Sequence, residues 1–446
     1  MWVGVRGNIT RAAVVCALVC CSSLAHGQHF FGSDRGLEAL HERILSDPSN
    51  VALSIQYAQL ARQRGDYEAA ISAYERLLLF NPTLAQLKYE LGTLYFELES
   101  YIPARTYFEA VLATPNLPGD VRDNAKAYIA EIDKRAAPDR FNAYLHAGIR
   151  YQSNASAGPA SDLIRFGGQT ISTDPNFGKQ PDWNSYALAV FTFAHDFGDR
   201  GDSLEASLGA YYSRQFHIER VNLGAVELQV GPRFVLPPEF APGASIKLYG
   251  IGNAFTLGDR TYLTTGGAGV SVRTKPTPTM VVESTFEYRN RKFYDSADYP
   301  TASDQTGDRY TYALSAGGLI YGPVRWLARV GYDWSRADLA FWSYQRPFID
   351  LGMPIAFVVP WFGTNRTWLL TPYIGASYAQ YDEPNPAVDP DAKRRDREWH
   401  VGATLDAELA TNAGLRLNVH YTRNDSNVAN YAYRNFAVSV GPAVRF

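Results

Sequence analysis

From Phe141 to Phe446 the chain alternates apolar and polar residues in one short segment after another. This period-two pattern constrains the fold more than anything else in the sequence. The last segment shows it most plainly. Phe436, Val438, Val440, Pro442, Val444 and Phe446 fall on one side, and Ala437, Ser439, Gly441, Ala443 and Arg445 on the other. Successive side chains of a strand point to opposite faces, so the first set makes an apolar face with aromatics near both ends. Lipid outside, water inside and aromatic girdles at the two interfaces produce this arrangement in a transmembrane barrel strand. Phe436, Val444 and Phe446 are read as the terminal signal recognised by the machinery that assembles such barrels.

The same alternation recurs upstream. Val401, Ala403, Leu405, Ala407 and Leu409 oppose Gly402, Thr404, Asp406 and Glu408, and Leu415, Leu417, Val419 and Tyr421 oppose Arg416, Asn418, His420 and Thr422. Val282, Phe286 and Tyr288 oppose Glu283, Glu287, Arg289 and Arg291. A charge turned to lipid near the midplane costs about 2–4 kcal/mol, so both signs are placed in the lumen. About fourteen strands are read across this region. Connections on one side are short and rich in Gly, Pro, Asn and Asp (198–202, 236–243, 275–278, 322–323, 361–366, 411–413). Those on the other side include every long one: 152–182, 217–220, 256–259, 294–307, 336–344, 382–395 and 425–433. Short turns inward and long loops outward are expected of an outer-membrane barrel.

Between residues 34 and 135 the period becomes helical and the chain repeats itself. Tyr57, Ala58, Tyr67, Ala70 and Tyr74 match Leu91, Gly92, Tyr101, Ala104 and Phe108 at a fixed offset of 34, the length of a tetratricopeptide repeat. Pro82 and Pro115 close the two units, and helices near 37–45 and 121–134 are read as caps. The first helix of each unit would line a groove with Gln59, Arg62, Gln63, Tyr89, Thr93 and Phe96, a docking surface for a client protein. The bland alternative is a spacer whose groove is solvated or filled by its own flanking helix. The fold class is therefore α+β multidomain: an all-α repeat solenoid, then an all-β antiparallel transmembrane barrel.

The N-terminus reads as a secretory signal. Arg6 and Arg11 precede an apolar run over 12–24, with Ala25-His26-Gly27 before Gln28. The expected organisation is 1–27 signal, 28–138 periplasmic helical domain and 139–446 barrel. All three cysteines, Cys16, Cys20 and Cys21, fall in the signal, so the processed chain would hold no disulfide or thiolate site. A formal net charge of −3 argues against a nucleic-acid partner. Aromatics at 13%, with 29 Tyr, suit interfacial belts.

No zinc-protease, phosphate-loop or nucleophile-elbow pattern is present, and the eight histidines lack ligand spacing, so neither a metal nor another cofactor is expected. Gly266-Gly267-Ala268-Gly269 lies within a strand, where it makes a kink or room for a bulky neighbour. Asp382, Glu383, Asp389 and Asp391 share an outer loop without calcium-loop spacing and read as a solvated tip.

Tyr144-Leu145-His146-Ala147-Gly148-Ile149-Arg150-Tyr151 runs into Gln152-Ser153-Asn154-Ala155-Ser156-Ala157-Gly158-Pro159. This segment resembles the glycine-containing first strand and Asn-rich turn of the surface lipoprotein assembly modifier family, with Ser156 where a second Asn is common. The order of helical repeats followed by a barrel is similar too. The resemblance implies a non-enzymatic factor that moves a client, a surface lipoprotein or small secreted protein, across the outer membrane, with Gln152, Ser153, Asn154 and Pro159 as its first-strand motif. Exopolysaccharide exporters also join such repeats to a barrel, and a small-solute porin with an adaptor domain is a third reading. A monomer is expected, in contact with outer-membrane lipid.

Overall fold

A computed structural model describes residues 40, 42–44, 47, 50–63, 65–115, 117–136, 138–174, 178–197, 201–237, 239–361 and 364–446. The segment read as a secretory signal lies outside them. The described residues form two compact units, one ending at Arg140 and one spanning Phe141–Phe446.

In the first unit, helices α1 (Val51–Gln63), α2 (Tyr67–Phe80), α3 (Ala85–Glu97), α4 (Tyr101–Leu112) and α5 (Gly119–Ala136) pack each against the next. Gly65, with φ of +69°, turns α1 into α2, and the Asp66 side chain accepts the Ala69 N–H to cap α2. Of the five pairs matched at the repeat offset, four are buried and the fifth, Tyr67 and Tyr101, is half-buried. Ala58, Ala70, Leu91, Ala104 and Phe108 are fully buried, and Tyr74 nearly so. Gly92 lets α3 and α4 approach closely, because a β-carbon there would lie 3.0 Å from the Phe108 ring.

The second unit is one closed antiparallel sheet. Around the wall run β1 (Asp139–Gln152), β4 (Asp182–Asp196), β5 (Ser203–Gln215), β6 (Leu223–Val235), β7 (Ser245–Leu257), β8 (Arg260–Thr277), β9 (Met280–Phe293), β10 (Gly307–Tyr321) and β11 (Val324–Ala337). They continue through β12 (Tyr344–Gly352) and β13 (Ile355–Trp361), β14 (Thr364–Pro384), β15 (Lys393–Ala410), β16 (Ala413–Ser426) and β17 (Tyr433–Arg445), which pairs back onto β1. Counting β12 and β13 as one interrupted strand gives a fourteen-strand barrel. The sequence reads 345–360 as continuous, but the ladder breaks at Met353-Pro354, where proline has no N–H to give. In the other direction, β8 continues to Thr277 past the expected turn.

Outward positions are apolar on every wall, for example Leu145, Ile149, Leu208, Val226, Leu228, Phe286, Leu314, Val401 and Leu417. Aromatic pairs mark two levels. Tyr151 and Trp183 (5.3 Å), Tyr310 with Tyr288 and Trp334 (5.3 and 5.7 Å), and Trp399 and Tyr421 (5.3 Å) ring the long-loop end. Phe141 and Phe191, Phe197 and Phe234, and Phe357 and Trp368 ring the short-turn end. Among the described residues no helix is long and apolar enough to cross a membrane. An apolar band between two aromatic girdles fits an outer-membrane location.

One long loop carries structure that its composition did not suggest: the hairpin β2 (Leu163–Phe166) and β3 (Gln169–Ser172), turned by Gly167 and Gly168 at positive φ. Three other loops repeat one 3₁₀ turn, in which Val221, Trp342 and Tyr431 donate backbone N–H groups to Ile218, Leu339 and Val428.

Candidate functional site

The lumen is built from the inward residues of each strand, and several of its carboxylates are held by cations. At the short-turn end Glu205 accepts from Arg233 (2.7 Å) and Lys247 (2.9 Å), while Glu283 holds Arg273 (3.0 Å) and Ser271. Above them Glu227 receives Arg289 at 2.7 Å and Asn253 at 3.1 Å, and Arg289 also reaches Glu287 at 3.0 Å. The Glu227–Arg289 bond spans from β6 to β9, over two intervening strands. Small residues make that reach feasible. Gly267 lies opposite Arg289, and the Tyr249 ring rests against Gly269 with its hydroxyl on Glu287 at 3.0 Å. The glycine run read as room for a bulky neighbour has that neighbour in Tyr249.

A second cluster centres on Asp333, which has no exposed surface. It accepts from Arg309 (2.8 Å), Thr311 (2.8 Å) and Arg346 (3.0 Å). On the remaining wall Asp406 clasps Arg416 through two bonds (2.6 and 2.9 Å), and Tyr373, His400, His420 and Asn418 pack in one patch. Paired charges of this kind make a polar interior in which these carboxylates already have cationic partners.

The first-strand motif sits where the cylinder closes. Asn154, 1% exposed, donates its backbone N–H to Asn435 Oδ1 at 3.0 Å and folds its own carboxamide onto Gly158 and Ser156. Ser153 exchanges bonds with the Phe436 backbone, its N–H to the carbonyl and the Phe436 N–H to its Oγ, both at 2.8 Å. Gln152 accepts from Asn184 at 2.9 Å. The Gln-Ser-Asn turn thus fastens β1 to β17 and to β4, while Pro159 is buried in the loop that follows. On β17, Phe436 points outward, Val444 is half-buried, and Phe446 pairs with Ala143 through both backbone bonds. Arg445 lies over the Tyr144 ring, on the luminal side.

The six groove residues of the helical unit separate into two groups. Gln59 and Gln63 are exposed, and Arg62 is half-exposed and paired with Glu97 (3.2 Å) and Glu90 (3.4 Å). Tyr89 and Phe96 instead meet Tyr128 of α5 edge-on, at 6.0 and 5.2 Å. Thr93 is buried and donates to the Tyr89 carbonyl. The open surface is therefore smaller than the sequence suggests, because α5 fills one end. Burial pushes the Arg62 pKa down, but Glu97 and Glu90 override it and raise it overall.

The outer acidic loop needs correction as well. Asp389 is buried rather than solvated: it binds Arg165 of β2 at 2.8 Å. The Asn430 side chain clamps the Arg165 backbone from both sides, at 2.7 and 2.9 Å. Gly167 and Gly168 donate N–H groups to Ala387 and Val388. A Gly-Gly pair flanked by β-formers was the signal for this hairpin. Nothing local foretold its partners. Among the described residues no three metal-ligating side chains gather.

Fold and lumen together define a fourteen-strand membrane β-barrel protein carrying an N-terminal helical unit. No family profile and no curated protein matches the chain. Among solved structures it is similar to MamA, at 18% identity over 23% of this chain and 58% of that one, with a TM-score of 0.21. It is also similar to a tetratricopeptide repeat protein from Parabacteroides merdae (23% identity, 23% and 39% coverage, TM-score 0.21). A bacterial polysaccharide outer membrane secretin is matched at 9% identity over 68% of this chain and 98% of that one, TM-score 0.35. The chain spans 58% and 39% of the first two matches.

Proposed function

We propose that this protein is a non-enzymatic outer-membrane translocation factor that moves a client protein, a surface lipoprotein or small secreted protein, to the cell surface. The observation that carries the reading is the pairing, in one chain, of a closed barrel with a charged lumen and a helical unit that keeps polar residues exposed on one face. In this reading residues 1–27 are removed and residues 28–138 form a periplasmic tetratricopeptide solenoid. Gln59, Arg62 and Gln63 engage the client before the barrel at 139–446 passes it on. The protein acts as a monomer in outer-membrane lipid, inserted by the barrel-assembly machinery through its Phe436–Phe446 strand.

The test is to delete the gene and label intact cells with a membrane-impermeant reagent. Loss of a specific protein from the labelled surface, restored by the intact gene but not by a Gln59→Ala/Arg62→Ala/Gln63→Ala variant, supports the reading. An unchanged protein surface with loss of a secreted polysaccharide refutes it in favour of polysaccharide export.

A further inference from the structure

The luminal charges do not balance locally. The carboxylates Glu205, Glu283, Asp333 and Asp406 each hold an arginine or lysine, and Glu227 and Glu287 share Arg289, while Asp350 meets His400 at 3.4 Å and Glu398 accepts from the Tyr433 hydroxyl at 2.8 Å. Four inward arginines make no ion pair among the described residues: Arg150, Arg325, Arg329 and Arg445. Arg150 donates to the Tyr211 hydroxyl at 2.7 Å and lies over the Tyr186 ring at 5.4 Å. Arg329 lies over Phe348 at 5.1 Å, and Arg445 over Tyr144 at 5.7 Å. Aromatic support steadies a guanidinium without neutralising it, and leaves its N–H edge free to donate.

The register sets their heights. Arg445 pairs with Tyr144, and Arg325 with Leu319, both at the short-turn end. Arg329 stands higher, between Ser315 and Asp350, and Arg150 higher still, opposite Ser439. Surplus positive charge therefore accompanies the lumen from one end toward the other, on walls separated by several strands. A narrow passage with low-dielectric walls focuses such a field and raises the local concentration of the opposite charge by roughly 10–10³-fold.

We propose that the lumen is an anion-selecting passage, in which Arg445, Arg325, Arg329 and Arg150 receive carboxylate- or sulfonate-bearing solutes in preference to cations. The inference needs only a wet lumen, and so stands apart from the identity of any client.

The full-length protein, with Cys16, Cys20 and Cys21 changed to Ser, tests this directly. Ser439→Cys places a thiol beside Arg150, and Ser315→Cys places one beside Arg329. Each folded variant, in lipid vesicles, is reacted with a sulfonate-bearing and with a trimethylammonium-bearing methanethiosulfonate. Taking the ratio of the two rates cancels the thiol's own reactivity. Normalised to free cysteine, the sulfonate-to-ammonium ratio is expected to be about tenfold above unity. Adding Arg150→Gln to Ser439→Cys, or Arg329→Gln to Ser315→Cys, should lower it about threefold. Two sites are used so that one misfolded variant leaves the other readable. A ratio at or below unity, a ratio unmoved by the arginine substitutions, or thiols that neither reagent reaches would each overturn the inference.

Discussion

Asn435 Oδ1 on the last strand accepts the backbone N–H of Asn154, just past the end of the first strand, at 3.0 Å. The bond joins residues 281 apart in sequence at the seam where the barrel must close on itself. Asn154 is also the hub of its own turn, accepting from Gly158 at 3.0 Å and Ser156 at 3.1 Å. Asn154→Ala keeps the backbone bond to Asn435 but removes the carboxamide that accepts from Gly158 and Ser156 and donates to the Gly158 carbonyl, at about 1–3 kcal/mol for each buried group left unmet. The expected outcome is a barrel that still assembles but converts from its compact to its unfolded electrophoretic form at a lower temperature. Asn435→Ala should do the same more weakly. Equal conversion temperatures for wild type and Asn154→Ala would show that the turn does not fasten the seam.

Asp333 is enclosed by two guanidinium groups and a hydroxyl and has no exposed surface. Removing it with Asp333→Ala leaves Arg309 and Arg346 facing each other without compensation. Breaking a buried pair from one side costs about 3–5 kcal/mol. Arg309→Gln removes one cation and leaves Arg346 in place, so its effect should be smaller. Urea unfolding of the refolded protein in lipid vesicles reports both values. If Arg309→Gln proved the more damaging of the two, Asp333 would not be the centre of the cluster.

The faces of the barrel were legible in the sequence because bilayer and lumen impose opposite demands on alternate residues. Phe436 outward, Arg445 on the luminal side and the loop asymmetry all follow from that one rule. What was not legible depends on curvature. That Glu227 would find Arg289 across two strands is a property of the closed cylinder, invisible along any single strand. The β2–β3 hairpin was missed for a related reason: its short strands are stabilised mainly by Asp389 and Asn430, which lie in distant loops. In the helical unit the repeat offset picked out buried positions at four of its five matched pairs, and half-buried ones at Tyr67 and Tyr101. Tyr89 and Phe96 lie against Tyr128 of α5, because helix periodicity does not say how far a flanking helix will reach over the groove.

Phe108 fills the space between α3, α4 and α5. It stacks on Tyr128 at 4.7 Å and closes against Gly92. Phe108→Ala opens a cavity in a fully buried site and should destabilise the helical unit by about 3–5 kcal/mol. Tyr74→Ala, at the matching position of the preceding repeat, should cost a comparable amount. Limited proteolysis of the full-length protein would show cleavage in residues 50–136 at lower urea concentrations than in wild type, while the barrel stays intact. Unchanged cleavage for both variants would mean that the repeat register is misplaced.

Alkaline pH should unfold the helical unit before the barrel. Burial, and for Tyr95 a 2.8 Å bond to Glu75, raise the Tyr74 and Tyr95 hydroxyls from 10.0 to about 12. Folding therefore favours the neutral phenols. In the unfolded chain these groups lose their protons near pH 10, whereas the folded state keeps them until about pH 12. The folded state then binds more protons across that window, so stability falls as pH rises through it and is fully present below it. The helical far-UV signal should diminish between pH 10 and pH 12 while the barrel's strand signal persists. Tyr95→Phe removes one titrating group and the phenolate it would place beside Glu75, and should make the loss shallower. A Tyr95→Phe variant with an unaltered pH profile would show that this hydroxyl does not govern the alkaline transition.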